Sequence, residues 1–542
     1  MEIEHAQSAG ANGVKDGIIV ADSLIRYRIL MGFSTVRFAQ SEAFQKGSPA
    51  SQWTLHSDTF KEFWRWGANW SGIQARLQSS LELDLHRRQQ VASTLRKQYE
   101  RDEVVVPTSL EVFERGGHVI TTGHQLQAGG GPAYFHYKIL SAVRWAQRLS
   151  ESGEPAVAVF WMASEDHDFE EIQSTVGLDG SIFKWEPEGA DRQGPVGELL
   201  WDEHAEKAWQ AWSIENNVQS SKRQVRTMPL SARVRAWVSE WFGDLNVLVI
   251  DGHDAELKGM AMHLWQAEWE NKGVGRAVRE STDQFQIDLG KPQIQPRENN
   301  LFVLTDEGSR QRADRWSAVH GAEAWRTLRP EQHSPNVALR PVYQEFLLQS
   351  IAFVGGPSEV SYWMLLGRAF EHHHVHPPAL LVRDCALILN EPASAICELL
   401  SWQLSMLGLS SDDAVNLWAD SVLEQQGDLQ QHFDRWSEAM ENYAKGIHES
   451  ALPTTRATLS KMEKELASVR KKWRKIIKQQ HHEQCAQIAE AIEHWIRPKG
   501  GPQERVLSAL ALAESIGSWS EFTENWLEDV RDEDEPQFLV FQ

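Results

Sequence analysis

The stretch Ala156-Val157-Ala158-Val159-Phe160-Trp161-Met162-Ala163, followed at once by Ser164-Glu165-Asp166-His167-Asp168, decides the fold. An unbroken apolar run of strand length marks a strand covered on both faces, the usual state of a parallel sheet. Upstream, Val119-Ile120 leads into Thr121-Thr122-Gly123 and then a Gly129-Gly130-Gly131-Pro132 turn. Beyond that turn Phe135, Ile139, Ala142, Val143, Ala146 and Leu149 share one helical stripe, which Ser152-Gly153-Glu154-Pro155 ends. Strand, helix and strand with short links make a βαβ unit, so the class is α/β with a parallel sheet. Further strands are predicted over 245–250, 301–304, 351–354 and 379–382.

This reading places a core over residues 1–390. Within it, residues 175–235 carry Gly/Asp turns and Trp-rich helical patterns and read as an inserted connecting segment. The first hundred residues read as helical, with a polar helix over 79–101. Residues 391–500 change character to long polar helices with little glycine. There Leu459, Met462, Leu466, Val469, Trp473 and Ile476 step by threes and fours, and the pattern resumes at Cys485, Ile488, Ile492 and Trp495. That is a coiled-coil seam. An earlier helix near 429–443 is expected to cover part of it and a second copy of the chain the rest, giving a homodimer. Residues 501–542 read as a C-terminal helix and strand returning to the core.

Composition narrows the function classes. The 542 residues include 54 Lys+Arg against 76 Asp+Glu, a formal net charge of −22. So acidic a chain is not built to hold nucleic acid through its phosphates, although a local basic pocket for a small anion remains compatible. Three cysteines, Cys385, Cys397 and Cys485, make no disulfide framework and fit a reducing cytoplasm. No apolar stretch reaches the length of a membrane span. The expected setting is cytoplasmic, with neither membrane nor nucleic acid as partner.

Four predicted strands run into polar loops at their C-terminal ends: Thr122-Gly123-His124-Gln125, Ser164 to Asp168, Asp251-Gly252-His253-Asp254 and Gly355-Gly356-Pro357-Ser358-Glu359. In an open parallel sheet that edge is where ligands bind, so the loops are expected to converge on one crevice. The Gly129–Pro132 turn opens a helix whose free N–H groups suit a phosphate or carboxylate, with Lys138 as an added point charge. Its spacing matches neither the dinucleotide fingerprint nor the P-loop, and a tight connection needing small residues explains it equally. The Glu165–Asp168 block is sharper, because carboxylates and an imidazole after a buried strand are costly to place. General base, amine orienter and metal ligand are the roles open to it, whereas Glu170 and Glu171 read as a solvated turn. The His372-His373-His374-x-His376 run and the His481/Cys485 pair read as structural, and no metal site is expected. Neither GxSxG nor HExxH occurs.

These motifs resemble the cysteine ligases of bacillithiol biosynthesis. The resemblance rests on Thr122-Gly123-His124-Gln125, Gly131-Pro132-x-Tyr134-x-x-Tyr137-Lys138 and the specific Phe160-to-Glu171 block. It continues through Asn300-Leu301-Phe302, Ser334-Pro335-Asn336-Val337, Arg340-Pro341, Gln344, Gly356-Pro357-Ser358-Glu359, Tyr362-Trp363 and Pro502-Gln503-Glu504-Arg505. Gln127-Ala128-Gly129-Gly130 and Gln349 depart from the pattern. The resemblance implies a Rossmann-like core related to nucleotidyltransferases and class I tRNA synthetases, inserted connecting segments and a dimerising coiled-coil domain. It further implies a ligase that joins the cysteine carboxyl to the amine of glucosaminyl-malate. Activation by ATP or another nucleotide, with any Mg accompanying it, is the cosubstrate expected. On that basis His167, Asp168, His124 and Asp166 are the expected catalytic groups, His167 or Asp168 accepting the ammonium proton and His124 facing developing charge. Substrate or nucleotide binding is expected at Gly123, Gln125, Gly131, Tyr134, Lys138, Trp161, Glu165, Asp251, Arg340, Gly356, Pro357, Glu359 and Tyr362. Two other readings stand beside it: a non-catalytic dimeric sensor of a thiol or nucleotide, and a metal-dependent hydrolase using Asp166, His167, Asp168 and Asp251.

Overall fold

The computed structural model describes residues 36–37, 64–79, 82–187, 194–218, 226–289, 294–295, 297–402, 404–425 and 427–541. They divide into two compact units, a core of residues 34–388 with 503–541 and a helical unit of residues 389–502. Most of the expected N-terminal helical region lies outside the described residues. The helix predicted over 79–101 runs from Leu85 to Arg101, started by the Asp84 side chain accepting from Arg87 N–H; positions 80 and 81 lie outside the described residues.

The core is built on five parallel strands: β1 (His118–His124), β2 (Ala156–Met162), β3 (Leu248–Asp251), β4 (Ala352–Gly355) and β5 (Ala379–Val382). Their order is β3-β2-β1-β4-β5. This is the doubly wound arrangement, in which the chain first builds one way from β1 and then the other. The crevice at the reversal, between β1 and β4, is where such sheets bind ligands. From Val157 to Met162 the apolar run of β2 is buried because both sheet faces are covered, as its lack of alternation requires. Helix α1 (Tyr134–Glu151) carries the chain from β1 to β2 and buries its predicted stripe. Two short helices leave the same sheet edge, α2 (Ala255–Met260) after β3 and α3 (Pro357–Met364) after β4.

Two strand expectations change. The segment 245–250 becomes strand only from Leu248, because Gly243–Leu245 forms a 3-10 turn that Asn246 closes with φ 53°. Leu301–Leu304 is a strand but does not enter the parallel sheet. It pairs antiparallel with Arg310–Arg312 on one side and His333–Pro335 on the other. The turn at Thr305–Ser309, with Gly308 at φ 80°, sends the chain straight back and leaves no room for a crossover. The C-terminal strand Gln537–Phe541 pairs parallel with Cys385–Ile388 and antiparallel with Val36–Arg37, in a separate three-stranded sheet.

Between β2 and β3 the chain forms a hairpin (Ser174–Val176 with Ile182–Lys184), a second short pairing and the helices Glu203–Glu215 and Leu230–Phe242. Trp201, Trp209, Trp212 and Trp237 from this region pack on one another with centroids 4.9–5.6 Å apart. In the helical unit α4 (Ser411–Glu424), α5 (Leu429–Ile447) and α6 (Leu452–Gln480) pack together. Arg456 pairs with Glu441 across α5 and α6 at 2.9 Å, and Arg474 with Asp420 across α4 and α6 at 2.9 Å.

Candidate active site

Outside the carboxyl ends of β1, β2, β3 and β4 lies a cleft of about 500 Å³. Each wall comes from a strand end that the sequence marks with a polar loop. Strand β1 supplies Gly123, His124 and Gln125; the loop after β2 supplies Ser164, Glu165 and Asp166; Gly252 follows β3; and Gly356 to Glu359 follow β4. Tyr134 and Lys138 reach in from the first turns of α1, Trp161 from β2, and Arg340 and Tyr362 from neighbouring helices.

Lys138 is buried and donates to the Gly123 carbonyl at 3.0 Å while paired with Glu359. Burial lowers the pKa of this ammonium even with Glu359 beside it. Burial works against the Glu359 carboxylate too, yet Lys138 and the Gly356 N–H at 2.8 Å hold its pKa below the usual range. Burial, helped by nearby Lys138, pushes His124 down to about 3, so its imidazole is neutral at physiological pH. Its Nδ1 lies 3.1 Å from the Gln125 carbonyl, which only accepts, so Nδ1 carries the hydrogen and Nε2 a lone pair. The Gln125 amide in turn donates to Asp166 at 3.1 Å and Glu171 at 2.6 Å. Burial tends to raise Asp166, but Gln125, the His167 N–H at 2.8 Å and nearby Arg310 keep it below the ordinary carboxylate value.

The expected residues divide clearly. His124, Asp166, Gly123, Gln125, Tyr134, Lys138, Trp161, Glu165, Arg340, Gly356, Pro357, Glu359 and Tyr362 all line the cleft. His167, Asp168, Gly131 and Asp251 do not. The His167 ring is half exposed and lies 3.3 Å from an Arg310 N–H. Asp168 caps the short helix Phe169–Ile172 by accepting from Glu171 N–H, so its carboxylate serves the backbone. Asp251 lies beneath the wall, accepting from Ser164 and from His253 N–H at 3.0 Å. Of the four groups of the hydrolase reading, Asp166 and His167 are neighbours at 3.4 Å, whereas Asp168 and Asp251 are engaged elsewhere.

The glycine turn is also placed differently from expectation. Gly129, Gly130 and Gly131 are buried, with φ of 68°, 83° and 54°. A Cβ on Gly129 would collide with the Trp209 ring, and one on Gly130 would lie 2.8 Å from His136 and 2.9 Å from Trp241. Gly131 N–H donates to Thr175 at 3.0 Å. The turn is a packing joint between α1 and the inserted segment, and the first of its glycines is sealed by tryptophan.

Positive charge in the cleft comes from the expected Lys138 and Arg340 and from four arginines to which no site role was given: Arg297, Arg310, Arg383 and Arg505. Arg310 lies 4.0 Å from the Phe302 centroid and donates to Ser334 and the Pro335 carbonyl at 3.0 Å each. Arg383 is buried in a two-point pair with Glu504, at 2.6 and 2.8 Å. The Arg383 and Arg505 guanidinium groups lie 5.9 and 5.8 Å from the Tyr134 ring centroid. Two signals in the sequence pointed here: the Asn300–Phe302 and Ser334–Val337 blocks deliver Phe302, Pro335, Asn336 and Val337 to the wall, and Pro502–Arg505 delivers Arg505. The arrangement is a polar cleft in which cations surround a cluster of carboxylates and one neutral imidazole.

Comparison with known proteins agrees with this geometry. Residues 36–384 match the sequence model described as bacillithiol biosynthesis BshC, N-terminal Rossmann-like domain, and residues 400–534 match its C-terminal coiled-coil domain. A relative from Flavobacterium johnsoniae is 31% identical over 360 residues, covering 61% of this chain and 66% of its own. One from Flavobacterium psychrophilum is 27% identical over 450 residues, covering 77% and 83%, and one from Christiangramia forsetii 29% over 413, covering 71% and 76%. All three carry the name "Putative cysteine ligase BshC". With both domain models matched in chain order and the core built as a Rossmann-like parallel sheet, the chain belongs to the bacillithiol biosynthesis BshC family.

Proposed function

We propose that the chain is a ligase that forms the amide between the cysteine carboxyl and the amine of glucosaminyl-malate, the last step to bacillithiol. The observation that carries this reading is the cleft itself. It juxtaposes the carboxylates Glu165 and Asp166, and a neutral His124 able to accept a hydrogen bond, with the cations Arg297, Arg310, Arg340, Arg383 and Arg505 at the switch point of the sheet. An amine nucleophile arrives as an ammonium and must lose a proton, which a carboxylate in reach can take. Glu165 and Asp166, which line the cleft, are the acceptors favoured by this reading over Asp168, which caps a helix, and His167, whose ring lies beside Arg310 and Asp166 outside the lining. His124 has its lone pair free on Nε2, so it serves as an acceptor, and stabilising an oxyanion falls to the guanidinium groups.

A carboxylate does not condense with an amine to a useful extent in water, so activation is required. The donor set fits a polyanion: the arginines line the cleft, the Arg383 Nε is buried without a partner among the described residues, and the start of α3 opens into it. The sealed glycine turn does not fit that task. ATP, bound there, would supply the leaving group that makes the cysteine carboxyl electrophilic. Arg340 and Arg310 would hold its phosphates. The test is incubation with cysteine, glucosaminyl-malate and ATP, followed by mass spectrometry for the condensed thiol and for AMP or ADP. A condensed product that forms without nucleotide consumption would remove ATP from the reading; no product would remove the ligase.

The same proposal includes a homodimer through the helical unit. Trp436, Met440, Tyr443 and Ile447 recur on α5 at steps of four, three and four, and all stay exposed, as do Met462, Trp473 and Ile476 on α6. Leu459 is buried and Leu466 and Val469 half-buried, so the helices of one chain close part of the seam and leave the rest to be covered.

A further inference from the structure

Behind the cleft wall lies a file of ionisable groups that the reading above does not use. Lys258, on α2, has a side chain with no exposure at all. Its Nζ is 3.2 Å from Glu165 Oε1, 2.9 Å from His253 Nδ1 and 3.0 Å from the Glu331 carbonyl, one contact for each ammonium hydrogen. His253 Nε2 is 2.9 Å from Glu198 Oε1. Glu198 is 62% exposed, so the file ends in solvent. At the other end Glu165 lines the cleft, and its Oε2 is buried without a hydrogen-bond partner among the described residues. A buried carboxylate oxygen left without a donor is costly unless something in the cleft meets it.

The polarity of the file is fixed by its chemistry. Lys258 only donates, so His253 Nδ1 accepts and Nε2 carries the hydrogen given to Glu198. The backbone holds the geometry: His253 N–H donates to Asp251 at 3.0 Å, Tyr343 Oη donates to the Gly252 carbonyl at 2.9 Å, and Gly197 N–H donates to the Ser164 carbonyl at 2.9 Å, which sets Glu198 beside the cleft loop.

We infer that Glu165, Lys258, His253 and Glu198 form a proton relay that carries the proton released by the amine nucleophile from the cleft to solvent. This rests on the ligase reading and names Glu165 as the group that receives the proton. The ammonium of the nucleophile loses a proton to Glu165 Oε2. Lys258 passes a proton to His253 Nδ1 as His253 releases its Nε2 hydrogen to Glu198. Lys258 then recovers a proton from the Glu165 carboxyl after that carboxyl turns. Once Glu198 releases its proton, one proton has moved from cleft to water, and His253 regains its Nε2–H tautomer by proton exchange with solvent before the next cycle. Burial lowers the pKa of Lys258, which makes the transient loss of its proton easier; the charged groups facing it are Glu165, Arg310 and Asp251.

Two measurements test the relay. In the first, His253→Ala in the full chain is assayed for condensation with and without added imidazole. The relay requires kcat to fall about tenfold or more with KM little changed, and imidazole to restore much of the loss in a saturable way. A loss that imidazole does not restore marks a positioning role, and no loss removes the step; either overturns the relay. In the second, which needs no substrate, ¹⁵N-histidine labelling follows the His253 ring in wild type, in Lys258→Met and in Glu165→Gln. The relay requires Nδ1 to be the unprotonated nitrogen in wild type and both substitutions to move the ring's titration. A ring protonated on Nδ1, or one indifferent to both, overturns it. If wild type forms no condensed thiol, the ligase reading falls by itself and the relay is judged on the second measurement.

Discussion

The edge of the central sheet and the outer faces of the helical unit handle surface in opposite ways. In the core, charge is buried and matched: Arg144 meets Asp384 at 2.5 Å with both side chains fully covered, and Arg235 meets Asp102 at 2.8 Å. In the helical unit, charge is solvated while apolar side chains stand in water, Tyr443 at 73% and Ile447 at 67% exposure. A buried ion pair must be completed inside one chain, because either partner alone is a large penalty. An exposed heptad stripe gains by being completed from outside. The core thus matches its buried charges within one chain, and the helical unit leaves an apolar stripe exposed.

The largest expected effect breaks the closed side of this comparison. Asp384→Ala leaves Arg144 buried without its partner and also removes the acceptor for Gln537 N–H at 2.7 Å. It should cost about 3–5 kcal/mol in chemical denaturation; a loss below ~1 kcal/mol would mean that the core tolerates an unmatched charge.

Next, Asp166→Asn, which removes a carboxylate charge from the cleft beside Glu165, should lower condensation by roughly 100-fold while leaving the fold intact, measured by product mass spectrometry and circular dichroism.

The third concerns pH. His136 is fully buried, neither ring nitrogen has a partner among the described residues, and burial lowers its pKa to about 3. The unfolded chain binds this proton below about 6.5 and the folded chain does not, so stability falls as pH drops from about 6.5 toward 3. At pH 5 the loss is about 2 kcal/mol relative to pH 7. His136→Phe should flatten that part of the stability curve; an unchanged slope would place acid sensitivity elsewhere.

On the open side, Tyr443→Asp together with Ile447→Asp should weaken self-association at least about tenfold by analytical ultracentrifugation, with the thermal transition of the core unmoved. A native chain that is already monomeric at micromolar concentration would end the comparison.

The smallest effect belongs to His167→Ala. Its ring is half exposed outside the cleft, so stability should change by less than about 0.5 kcal/mol. Turnover should change by less than about threefold, although Arg310 loses one neighbour.

Much of the sheet was legible because parallel strands must be apolar along their whole length, which no surface element imitates. The convergence of four loops followed from the same rule. The acidic block was found but its facing was not: within Glu165–Asp168 the chain turns into a helix, and which carboxylate enters the cleft depends on which one caps that helix. The glycine turn misled because small residues serve close packing as well as anion binding, and the partners that decide, Trp209 and Trp241, lie about 80 and 110 residues on. Arg383 and Arg505 escaped local reading for the same reason. They come together near Tyr134 only after the helical unit has been traversed, and no spacing rule spans that interval.

That interval also has a consequence in time. Glu504, which holds Arg383, and Arg505, which lines the cleft, follow the whole helical excursion in chain order, and so does the strand that pairs with Cys385–Ile388. During synthesis the five-stranded sheet can emerge complete while its cleft still lacks that wall. At ribosomal speeds of about 5–20 residues per second, an excursion on the order of 100 residues holds the half-built cleft open for on the order of 5–20 s. Until the chain returns, the nascent core holds the Arg383 guanidinium without the Glu504 carboxylate that pairs with it in the finished fold.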